Sequence, residues 1–117
     1  MNWKSDSRGS FLEVFKYPGE GQISVINIMP GQTRGNHYHA RKREDFVVIN
    51  GMATINIRNR GDKEVKSHSV NGQFPTKVRT LPNQVHNIVA GPTGCVALLW
   101  CSEHYSDKDP DTFSEVV

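Results

Sequence analysis

Nothing in this chain sustains a 3.6-residue hydrophobic period, and seven short runs rich in Val, Ile and Thr divide it. They are QISVINIM (22–29), DFVVI (45–49), MATINIR (52–58), EVKSHSV (64–70), KVRTL (77–81), HNIVA (86–90) and CVALLW (95–100). Such side chains suit a pleated, half-buried surface. Pro, Gly and Asn clusters separate the runs, at YPGEG, MPGQ, NG, RNRGD, VNGQ, LPNQ and AGPTG, and these are residues that turns require. Asn50-Gly51, between two alternating runs, carries a hairpin signal, because a type I′ turn needs positive φ at both central residues. A single helical turn is expected near 108–113. Seven or more short strands predict an all-β sandwich or barrel. No repeat, low-complexity segment or linker interrupts the pattern. One domain over 1–117 is therefore expected, long enough for a core without disulfide or metal staples. The closing SDKDPDTFSEVV reads as a partly ordered surface arm.

Charge and cysteine usage narrow the partners. Fourteen Lys and Arg stand against twelve Asp and Glu, a formal charge of +2. That balance gives no electrostatic footprint for nucleic acid or an anionic membrane. The longest apolar run, CVALLWC (95–101), falls far short of the ~20 residues of a membrane span. The polar start MNWKSDSRGS has no signal-peptide character, so a cytoplasmic location is expected. Within one strand, Cys95 and Cys101 would lie roughly 20 Å apart at ~3.3 Å per residue. A disulfide needs Cα atoms within about 7 Å, so two buried free thiols are expected, in keeping with a reducing compartment. CVALLWC is apolar on both faces and must be covered on both. Either a second copy covers the outer face, which makes a homodimer, or the strand lies inside a two-layer sandwich.

Chemistry concentrates in GQTRGNHYHARKREDFVVING (31–51). Alternation along a strand puts His37 and His39 on one face, about 7 Å apart at the Cα. Glu44 adds a hard anionic oxygen after a short link, and His86 is available from a distant strand. Three neutral imidazoles and a carboxylate suit Zn2+, Fe2+, Mn2+ or Ni2+. His-x-His alone reads first as two solvated or hydrogen-bonded histidines. The same parity turns Tyr38 outward, towards packing in the outer sheet or an interface. It also turns Arg34 away from His37, unless a bulge at Gly35 intervenes. ARKR (40–43) reads first as a solvated basic edge, and His68 as a solvated strand residue.

The spacing continues on both sides. Gly31, five residues, His37-x-His39, four residues, Glu44, six residues and Gly51 resemble the first sequence motif of the cupins. Pro82, three residues and His86 resemble the second. The usual glycine of that motif is replaced by Asn83 or Gln84, and Ala90 stands where an asparagine is expected. Asn tolerates the left-handed conformation that the glycine serves. The resemblance implies an antiparallel double-stranded β-helix, or jelly-roll barrel, with His37, His39, Glu44 and His86 converging on one ion. DSRGSFLEVFK (6–16), GQISVINIMPGQTRGNHYH (21–39), DFVVINGMATI (45–55) and DPDTF (109–113) look like the C-terminal cupin domain of the CapF family, which makes nucleotide-activated deoxyhexoses for capsular polysaccharide. That likeness implies zinc, a dimer and epimerisation at C3 of a UDP-linked 4-keto-hexose. No GxGxxG is present, so the family's reductase chemistry is not carried over. TRGNHYH is also similar to a segment of dTDP-4-keto-6-deoxyglucose 3,5-epimerases, a metal-free family in which the histidine matching His37 is the base. Gln stands there where this chain has His39, and that departure favours metal. The sugar-nucleotide 3,4-ketoisomerases share the RG.H.H pattern.

A site of this kind needs proton carriers and an anchor for the diphosphate. His104 and Tyr105, after the last strand, are the candidate catalytic residues. Arg8 and Arg34 are candidate diphosphate ligands because guanidinium forks match phosphate oxygens, and Lys42 is a candidate substrate contact at the barrel mouth. Two rival functions follow from the same residues: an Fe2+-dependent cupin dioxygenase, and a non-catalytic sugar-nucleotide binding subunit that partners a separate reductase.

Overall fold

The computed structural model describes residues 1–117. Its nine strands are β1 (Asn2–Asp6), β2 (Gly9–Lys16), β3 (Gln22–Ile28), β4 (Thr33–Tyr38), β5 (Glu44–Asn59), β6 (Lys66–Asn71), β7 (Lys77–Thr80), β8 (Gln84–Cys101) and β9 (Phe113–Ser114). All pairings are antiparallel. The architecture turns on the two long strands. β5 and β8 run side by side from Glu44↔Cys101 to Asn59↔Gln84. The halves of this ribbon then carry different neighbours. β3 joins β8 over Cys95–Cys101, with β2 and β1 beyond it, and β7 joins β5 over Glu44–Val47. β4 joins β8 over His86–Val89, with β9 beyond it, and β6 joins β5 over Met52–Ile57. Two leaves result, sharing a bent ribbon, and together they form the jelly-roll barrel of the cupins.

The ribbon bends where the sequence suggested a reversal. Asn50-Gly51 is not a hairpin turn: it lies inside β5, and runs 45–49 and 52–58 are one strand. Gly51 has φ 75 but Asn50 is not in the left-handed region, so the type I′ geometry is not met. The register slips between Val48 and Asn50 and again between Gly51 and Ala53, the signature of bulges that bend a strand. At Gly51 a Cβ would sit 2.2 Å from the Gly94 carbonyl oxygen, so only glycine permits this crossing of β5 and β8. Runs 86–90 and 95–100 likewise merge into β8. Across the bend the buried positions of β5 change parity, from 44, 46 and 48 to 53, 55 and 57. Each half therefore turns its apolar side into the same core, which Ile26, Phe46, Val48, Ile55, Ile88 and Leu99 help to fill.

The tail also departs from expectation. No helical turn forms at 108–113. Phe113–Ser114 instead pairs with His37 and Tyr38 of β4, and Asp111 is buried, so the segment is docked rather than loose. Cys95 and Cys101 are free and buried, and burial pushes both thiols up to about 11. No helix is long and apolar enough to cross a membrane.

Candidate metal centre

Four donors meet where the two ends of the bent ribbon come together, opposite the bend. Glu44 opens β5 and His86 lies near the start of β8, while His37 is the penultimate residue of β4 and His39 follows the strand. One donor atom from each lies within 4.8 Å of the others. The His37 ring stands edge-on to His86 at 4.8 Å and 4.9 Å from His39. Phe46 closes the floor, 5.9 Å from His86. Local backbone explains the convergence. Asn36 adopts φ 58 and the β4–β8 register slips between Gly35 and His37. The bulge allowed for at Gly35 is thus present, and Arg34 and His37 both line the pocket. At Gly35 a Cβ would lie 2.8 Å from the His86 carbonyl oxygen, so glycine lets β4 approach this ligand strand. Asn83, at φ 65, takes the left-handed position, and its N–H donates to the His39 carbonyl at 2.7 Å.

The hydrogen-bond pattern tests whether these residues suit a cation. His39 Nδ1 lies 2.6 Å from the Asp111 carbonyl and His86 Nδ1 lies 3.0 Å from the Gln84 carbonyl. A carbonyl only accepts, so both Nδ1 atoms carry the proton, a tautomer assigned from the network. In the neutral rings both Nε2 lone pairs then point at one oxygen, Glu44 Oε1, at 2.8 and 3.2 Å. Acceptor faces acceptor in a buried space, and His86 Nε2 has no hydrogen-bond partner. A proton on His39 Nε2 relieves one contact but not the other. A divalent ion among the four donors satisfies all of them, so the residues fit a metal.

The electrostatics agree. Burial alone would raise the Glu44 carboxyl, and positive charge brought to Oε1 from the His39 and His86 side, as a proton or as a cation, holds it well below the usual carboxylate range. Burial lowers His37 to about 3, helped by the neighbouring His86 and His39. His37 is therefore neutral, as a ligand must be. Burial also opposes a charge on His39, but the Glu44 hydrogen bond outweighs it and raises this ring.

Above the donors opens a pocket of about 450 Å³. Arg8, Arg34, Lys42 and Tyr105 all line it, together with Lys4 and Phe11, which were not read from the sequence. Arg34 lies over the Phe11 ring at 6.0 Å and 3.7 Å from Asp6, whose carboxylate is already taken by Arg8 at 2.7 Å. Lys42 is not part of a solvated edge: it is buried, with Nζ donating to the Pro110 carbonyl at 2.8 Å, whereas Arg41 and Arg43 are exposed. Tyr105 is fixed through its backbone, its N–H donating to Gln22 Oε1 and its carbonyl accepting from Lys16 Nζ. Lys4 and Lys42 lie 5.0 and 5.3 Å from its ring. His104 is not brought in. Its Nε2 is tied to the Tyr17 carbonyl at 2.8 Å, and the ring does not line the pocket. Tyr38 faces outward, stacked on Phe113 and under Arg60.

The model of the polysaccharide biosynthesis C-terminal domain matches residues 4–113. A UDP-2-acetamido-2,6-beta-L-arabino-hexul-4-ose reductase of Pseudomonas aeruginosa is 39% identical over 111 residues, covering 94% of this chain and 30% of that protein. The crystal structure of CapF, a capsular polysaccharide assembling protein of Staphylococcus aureus, has a TM-score of 0.95 at 37% identity, over 99% of this chain and 32% of that one. The chain thus spans about a third of the length of these relatives. QdtA, a sugar 3,4-ketoisomerase of Thermoanaerobacterium thermosaccharolyticum solved with TDP, shares the fold, with a TM-score of 0.66 at 19% identity over 92% and 88% of the two chains.

Proposed function

The chain belongs to the family of polysaccharide biosynthesis C-terminal domains, and from that membership we propose a divalent-metal cupin, folded as one domain over residues 1–117, that epimerises or isomerises a nucleotide-linked 4-keto-deoxyhexose for surface polysaccharide. The observation that carries this reading is Glu44 Oε1 facing two imidazole lone pairs at the floor of a cation-rimmed pocket. His37, His39, Glu44 and His86 are the proposed ligands and zinc the proposed ion, although Fe2+, Mn2+ and Ni2+ accept the same donors. Such an ion supplies Lewis-acid stabilisation to an oxyanion developing at the ketone.

The remaining work falls to side chains. A 4-keto group makes the C3 proton removable, because the carbanion is an enolate. Epimerisation needs a proton carrier on each face of that carbon. Tyr105 is the proposed acid because it lines the pocket, and its phenol, kept above the ordinary value by burial and then a hydrogen bond with Asp107, is protonated at neutral pH as any ordinary tyrosine is. Arg8 and Arg34 are proposed to hold the diphosphate, and Lys42 an anionic oxygen of the substrate deeper in the pocket.

With His104 tied to Tyr17 outside the pocket, one carrier stands where two are needed. That favours a second reading, a non-catalytic sugar-nucleotide binding subunit for a separate reductase. Incubating the zinc-loaded protein with UDP- and dTDP-4-keto-6-deoxyhexoses in D2O separates the two. Deuterium at C3 is expected for the enzyme. Binding without exchange at C3 or C5 would overturn that reading in favour of the subunit.

A further inference from the structure

His39 and Glu44 are joined by residues 40–43, a loop with no regular structure of its own. Its order comes from some seventy residues further along the chain. The Asp111 carboxylate, which has no exposed surface, accepts the N–H groups of three consecutive residues. Ala40 donates to Oδ1, and Arg41 and Lys42 to Oδ2, each at 3.0 Å. The carbonyl of the same residue accepts the His39 Nδ1 proton at 2.6 Å. Burial would raise the Asp111 carboxyl, but the three backbone bonds outweigh it and hold the group below its ordinary value. Asp111 does this at φ 47, a left-handed conformation unfavourable for a residue with a Cβ. One residue in a strained conformation therefore controls both, its carbonyl the ring orientation of one donor and its fully buried carboxylate the chain path to the next.

We infer that Asp111 is a positioning residue of the metal centre: through the 40–42 loop and the His39 ring it sets how tightly the four donors hold a divalent ion. The inference rests on the metal reading above. Without the carboxylate, three adjacent N–H groups lose their shared acceptor, and His39 and Glu44 no longer share a fixed frame. The carbonyl, by holding the Nδ1 proton, keeps the Nε2 lone pair aimed at the ion, as outer-layer partners of ligating histidines do. A role confined to anchoring the tail would lower stability and leave metal binding by the folded protein unchanged.

The test uses the full chain, with cobalt as probe. Asp111→Gly keeps the left-handed backbone and the carbonyl but removes the carboxylate. Asp111→Asn keeps one oxygen able to accept from Arg41 and Lys42. Competition with a chromophoric chelator is expected to show cobalt affinity lower by about 10- to 100-fold in the glycine variant and by less in the asparagine variant, with shifted visible bands in both. Unchanged affinity and spectrum in folded variants, against a wild type that binds one cobalt, would overturn the inference even if both melt earlier. Should the glycine variant not fold, the asparagine variant decides alone. A wild type that binds no cobalt removes the metal reading itself, and the inference with it.

Discussion

At Glu44 a carboxylate oxygen opposes the Nε2 atoms of two imidazoles whose protons, on Nδ1, are already committed to backbone carbonyls. A carboxamide would relieve that opposition without any cation, because its N–H2 group donates twice. Glu44→Gln is therefore expected to leave the metal-free protein no less stable than wild type, since exchanging buried charge for neutral partners is often neutral or stabilising. Its metal affinity should fall by more than the roughly 10- to 100-fold typical of changes outside the ligand shell. Melting curves in chelator and a metal titration check the two halves. A variant that is destabilised and still binds would contradict both.

Among the elements, the bent ribbon of β5 and β8 makes the sharpest demand on sequence. Gly51→Ala must adopt a left-handed φ and also push against the Gly94 carbonyl, whereas Gly61→Ala meets the same kind of φ with open space around it. The strained backbone alone costs about 1–3 kcal/mol, so Gly61→Ala is the control and Gly51→Ala should melt several degrees lower still. Equal melting temperatures would show that the crossing relaxes at no cost. The same ribbon explains what could be read from the chain and what could not. His37 and His39 share a face because a strand alternates, and the Gly35 bulge and the left-handed Asn83 follow from local residue chemistry. Asn50-Gly51 misled because a bulge and a turn recruit the same residues. The choice between them rests on β8, forty residues later. Asp111 was unreadable for a similar reason: its partners lie near position 40, and nothing beside it marks a buried acid. His104 has the right chemistry but the wrong anchor, the Tyr17 carbonyl.

On the scale of the whole molecule, the leaf that carries β3, β7 and the second half of β8 keeps an apolar outer side. Ile23 pairs with Trp100, and Val25 and Val47 flank Leu98 on neighbouring strands, with Ile23 and Leu98 each 37% and Ile49 42% exposed. This is the proposed contact of a homodimer. Leu98→Glu should shift the sedimentation of the protein from dimer to monomer while its circular dichroism stays that of the wild type. A wild-type monomer at the same concentration would remove the proposal. The two leaves, finally, are joined in two unlike ways. At the bend, backbone crosses backbone at Gly51 and Gly94, a hinge that no side chain can loosen. At the far rim, Glu44 from one leaf faces His37, His39 and His86 on the other side. An ion held there acts as a clasp opposite the hinge. Loading the site should therefore slow amide hydrogen exchange most at the rim, around Ile57 and Thr80, and least beside the bend, where the barrel is already shut.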